Sequence, residues 1–103
     1  MSVSAAQIRQ FAVASCSYCA RTSGRGMEDF ERQRAALYAA FAADGAALDL
    51  LGQISRAAQT VTDTRRYFQN HQLDSRANAD FRAATERLAA LTDRLARHVE
   101  RQT

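Results

Sequence analysis

The chain has 103 residues, with 14 basic and 11 acidic side chains, a net charge of +3 and no proline or tryptophan. That length makes one domain, residues 1–103, with a single modest core that is marginal unless its helices pack tightly or oligomerise. Every basic residue is an arginine, but the arginines are interleaved with acids: the charge is +3 over residues 1–26, −2 over 27–45, zero over 46–74 and +2 from 75 onward. This distribution excludes a basic tail, and a net charge so small does not by itself establish nucleic-acid binding. The absence of lysine together with 22 alanines reads as compositional bias rather than as selection for phosphate contacts.

The start of the chain lacks the basic stretch and apolar run of a secretory signal. The uncharged stretch 11–20 is far shorter than the roughly 20 residues that span a bilayer, so no membrane partner is expected. Two cysteines do not make the multi-cysteine framework of a secreted mini-protein, and the expected setting is the reducing cytoplasm.

The elements follow in chain order. Ser4 and Gln7 have capping-box spacing, and Ile8, Phe11, Ala12, Ser15 and Cys19 recur at helical intervals, predicting a first helix over about 4–21. Gly24 and Gly26 mark a break, since glycine permits backbone angles no helix uses. A second helix follows, with Glu28, Asp29 and Glu31 where negative charge meets the positive end of the helix dipole. Its apolar residues are Met27, Phe30, Leu37, Tyr38 and Phe41. Asp44-Gly45 reads as the next turn; without it the second and third helices would merge into one rod.

The third helix carries Ala47, Leu51, Ile54, Ala58, Val61 and Phe68 at spacings of three and four, with Arg65 where an apolar group would fit. The polar run 69–72, followed by Asp74 and Ser75, predicts a loop that caps a fourth helix over 75–101. There Phe81, Ala84, Leu88, Leu91 and Leu95 form a narrow apolar seam of the kind that faces another helix. The expected fold is therefore all-α, an antiparallel bundle of three to four helices with short loops, one form of which is a three-helix core with the first helix docked on it.

Candidate functional residues fall into two groups. Phe81, Leu88, Leu91 and Leu95 form an interface seam flanked by Arg87, Arg94 and Arg101; either the third helix of the same chain meets it, or the seam continues into a contact with a partner helix, which such flanking charges often choose. Arg65, Arg66, Tyr67 and His71 form a second group at the far end of the third helix. These point to a non-enzymatic protein–protein interaction module, an adaptor, assembly component or inhibitor of a larger complex. A protein partner and a homo-oligomer are expected, and no cofactor or metal is implied. Cys16-Ser17-Tyr18-Cys19 is a CxxC pair, but it lies late in its helix, where the dipole does not favour a thiolate, and no second ligand pair completes a zinc site. Two buried structural cysteines are expected.

The alternative is a nucleic-acid-associated protein, in which the arginines contact phosphate while Tyr67 or His71 stacks on a base. The run Arg66-Tyr67-Phe68-Gln69-Asn70-His71 contains an Arg-x4-His spacing that resembles the signature of HEPN ribonucleases. In that all-α family the arginine and histidine, from a dimer, line an RNA-cleaving cleft, which the resemblance maps onto Arg66 (or Arg65) and His71. The polar residue that usually follows the arginine is here Tyr67. The plainer reading of the same run is a solvated helix end anchored by Tyr67 and Phe68.

Overall fold

A computed structural model of the chain describes residues 3–20 and 25–102. They form four helices: α1 (Ala5–Ala20), α2 (Arg25–Ala40), α3 (Gly45–Asn70) and α4 (Ser75–Arg101). Each start has a local cause. Before α1, Ser4 and Gln7 close the reciprocal capping box, Ser4 N–H donating to Gln7 Oε1 at 2.7 Å and Gln7 N–H to Ser4 Oγ at 3.2 Å. Asp44, extended at φ −119° and ψ 90°, begins α3 by accepting from Ala47 N–H. Asp74 begins α4 by accepting from the amides of Arg76 and Ala77. The turn at Asp44 separates α2 from α3, so the single long rod does not form. Of the predicted glycine break, Arg25 and Gly26 belong to the first turn of α2, and residues 21–24 lie outside the described residues.

The helices alternate in direction. Phe68 near the end of α3 stacks on Phe81 near the start of α4, while Asp44 at the start of α3 meets His98 near the end of α4. Thr62 Oγ1 reaches the Cys16 carbonyl at 3.3 Å, which sets α1 alongside α3 in the same direction. Tyr18 donates to Glu31 at 3.2 Å, closing α1 and α2 into an antiparallel hairpin.

The core is made by α1, α3 and α4, which pack on one another, whereas α2 packs chiefly on α1. Ile8 and Phe11 of α1, Ala47, Leu51, Ile54 and Ala58 of α3, and Leu88, Leu91, Leu95 and Val99 of α4 are buried together. This corrects the expectation that the first helix docks on the other three. On α1 Ile8, Phe11, Ala12 and Ser15 are buried at spacings of three and four; on α2, among the described residues, only Phe30 and Leu37 are buried, a full seven residues apart. Tyr38, one step beyond Leu37 and so rotated by about 100°, remains 37% exposed.

What holds α2 is an aromatic ladder. Phe11 stacks on Phe30 at 5.6 Å between centroids, and Phe30 on Tyr18 at 4.6 Å. The Arg34 guanidinium lies 5.4 Å and 5.5 Å above the last two rings, a cation–π contact.

Buried hydroxyls are mostly satisfied along their own helix: Ser15 donates to Phe11 O, Thr62 to Ala58 O and Thr92 to Leu88 O. Ser55 Oγ is the exception, buried with no hydrogen-bond partner among the described residues. A buried unpaired hydroxyl is costly, so Ser55→Ala is expected to raise unfolding stability by about 1 kcal/mol. Leu95→Ala, at a fully buried position, is expected to lower it by about 3 kcal/mol. Urea unfolding of the two variants checks both, and a destabilised Ser55→Ala would mean the hydroxyl has a partner.

Candidate functional site

Of the two surfaces that could meet the α4 seam, the chain's own core does so. Leu88, Leu91 and Leu95 are buried in the common core, because α1 and α3 cover α4 from two sides. Phe81 is partly buried and stacks on Phe68 at 6.0 Å. The arginines beside the seam are what remains on the surface. Arg94 and Arg101 border an open cleft of about 330 Å³ between the last turns of α4 and the first turns of α3, together with Arg97, His98, Ala46 and Leu50. Arg87, two turns earlier on the same stripe, is exposed.

None of Arg87, Arg94, Arg97 and Arg101 forms an ion pair among the described residues. The pairs that do form are Arg9 with Asp93, Arg32 with Asp29 and His98 with Asp44. Three unpaired guanidiniums one and two turns apart on one helix, around a shallow cleft with Leu50 in its wall, can hold carboxylates or phosphates through forked hydrogen bonds.

The second predicted group divides. Arg65 and Arg66 line an open cleft between α1 and α3 with Cys16, Ser17, Val61, Thr62 and Gln69. Tyr67 instead borders a groove between α3 and α4 with Asp63, Ala77 and Asp80. It is 52% exposed and stacks face to face on His71 at 4.0 Å and 11°. The His71 ring is fixed by Nδ1, 2.9 Å from the Tyr67 carbonyl oxygen. Arg66 therefore faces α1 while His71 follows Tyr67 toward α4, and the fold does not draw the two into one cleft.

Both cysteines are free and half-buried. Burial pushes the Cys16 thiol up, helped by the neighbouring Cys19 and opposed by Arg65. Burial also raises the Cys19 thiol, helped by Asp63 and opposed by Arg34. Protonated thiols at neutral pH are poor nucleophiles and poor metal ligands. No group of three metal-ligating side chains occurs among the described residues, and none of their helices is long and apolar enough to cross a membrane.

Sequence reasoning missed the cluster that closes the α3–α4 end. Asp44 Oδ1 caps α3 while Oδ2 accepts from His98 Nε2 at 2.7 Å and Gln102 Nε2 at 3.1 Å. Asp44 was legible as a turn residue, but its partners lie 54 and 58 residues away and carry no local signal. Comparison of the chain with protein-family models, curated proteins and solved structures finds no match.

The hydrogen bond from His98, then the Ala47 amide and the Gln102 amide, pull the Asp44 carboxyl from its ordinary 3.8 down to about 2. A carboxyl depressed in the folded state stabilises the fold above its unfolded pKa and loses that contribution as pH falls to the folded one. Asp44→Asn keeps the capping oxygen but removes the charge. Its deficit against the wild type is expected to be full above pH 4 and to close between pH 4 and pH 2 in urea unfolding, whereas a pH-independent deficit would contradict the assignment.

Proposed function

We propose that the chain is a small non-enzymatic protein–protein interaction module: a self-associating cytoplasmic bundle that acts as an adaptor, assembly component or inhibitor of a larger complex. The observation that carries this reading is the set of unpaired arginines around open clefts, Arg94, Arg97 and Arg101 at one end and Arg65 and Arg66 at the other. Paired surface charges contribute little to anything beyond solubility. Unpaired guanidiniums held on rigid helices beside partly apolar walls have the composition of an interface, where arginine is enriched and lysine depleted.

Binding of nucleic acid is the second reading, and one observation favours it. The Tyr67–His71 stack is exposed on its outer side, close in sequence to Arg65 and Arg66, and a base can extend such a stack. Binding of this kind falls steeply with salt, because phosphate contacts release counterions. A ribonuclease of the HEPN kind would further require Arg66 and His71 to act together, across two copies of the chain.

The two readings separate by capture from extracts of the cells that make the protein, with and without nuclease. The interaction module is expected to retain a defined protein after nuclease treatment and to lose it when Arg94→Glu and Arg101→Glu are combined, with helicity unchanged. Capture abolished by nuclease, or unaffected by the double charge reversal, would contradict the proposal.

A further inference from the structure

We infer that the cleft between the first turns of α3 and the last turns of α4 receives a short acidic segment of a polypeptide, with carboxylates on either side of an apolar side chain. The inference rests on the reading of the chain as an interaction module and names the chemistry of its partner.

Arg94, Arg97 and Arg101 stand at intervals of three and four on one flank of α4, so they span about 10 Å along the helix axis. That reach matches carboxylates one to two helical turns apart on a partner. On the α3 side the cleft is lined by Ala46, which is exposed, and by the edge of Leu50, which is mostly buried, a small apolar contact that a phosphate does not use. His98 is already engaged by Asp44, so the three arginines are the groups left to meet the ligand.

The opposite end of the same flank of α4 argues for a peptide and against an extended polyanion. Asp80 lies two heptads before Arg94 on the same stripe, and with Asp63 it borders the cleft beside Tyr67. Neither carboxylate forms an ion pair among the described residues; Asp63 accepts only from the Gln59 amide. The separation along α4 from Asp80 to Arg94 is about 21 Å, beyond a Debye length of roughly 8 Å at physiological salt. The arginines are therefore not neutralised by these acids, yet a nucleic acid running along this flank of α4 would meet repulsion once it left the arginine end. A segment whose negative charge stops after a few residues would not.

The test is fluorescence anisotropy with a labelled peptide bearing two glutamates on each side of one leucine, read against mixed-sequence single-stranded RNA as competitor. Saturable binding is expected, weakened about ten-fold or more by Arg94→Ala with Arg101→Ala, the loss that removing charged hydrogen bonds produces. Arg94→Lys with Arg101→Lys, which keeps the charge and loses the fork, is expected to fall between. Replacing the peptide's leucine by glutamine should weaken binding, and RNA at equal charge should compete poorly. Equal binding of the peptide by wild type and both variants, or competition by RNA as effective as unlabelled peptide, would overturn the inference. So would absence of peptide binding by a protein that still captures its partner through Arg94 and Arg101; in that case the interaction module stands and only the acidic segment falls.

Discussion

The burial of one face of α4 against two helices at once is the constraint from which the rest of the structure follows. Leu88, Leu91, Leu95 and Val99 fill the space between α1 and α3. Because α4 is held on both sides over its second half, its register is fixed there. Every side chain flanking the stripe then has a defined direction. Arg87, Arg94 and Arg101, each seven residues from the next, come out on one exposed edge, and Arg97 joins them. The charge pattern that carries the functional proposal is thus a by-product of packing. It needs no dedicated loop or insertion.

The same constraint explains why α2 is the outlying helix. Once α1, α3 and α4 close on one another, the core offers α2 only the outer side of α1, and an aromatic ladder from Phe11 through Phe30 to Tyr18 takes the place of a deep interface. Alanine makes this economical. With Ala12, Ala47, Ala58, Ala77, Ala84 and Ala96 buried, the three core helices approach closely, and a small set of leucines, isoleucine and phenylalanine suffices to fill what remains.

Much of this was readable from residue types. Ser4 with Gln7, Asp44 and Asp74 announce helix starts because their side chains satisfy amides that the helix itself leaves unpaired, and the intervals of three and four in α3 and α4 identify the buried faces. The choice of which three helices form the core was not readable. The first two helices both carry alanine-diluted stripes, and only the gap between Phe30 and Leu37 distinguishes α2 as the weaker. The seam of α4 was legible as an apolar face, but a spacing pattern does not say whether the surface that meets it belongs to the same chain. At the candidate site, Arg94 and Arg101 stood out by their seven-residue spacing, whereas Arg97 and the His98–Asp44 contact depend on where α3 begins in space. Within one chain Arg66 and His71 do not meet for a related reason: five residues along a helix and past its end carry two side chains to different flanks.

Packing of the α4 stripe within its own chain leaves only charge for a partner. Amide hydrogen exchange along residues 88–99, measured in dilute and in concentrated protein, tests this most directly. Strong protection of these amides that is the same at both concentrations is the predicted result. Protection that disappears on dilution would show the stripe to be buried between chains, and would return the apolar seam to the partner surface in place of the arginines.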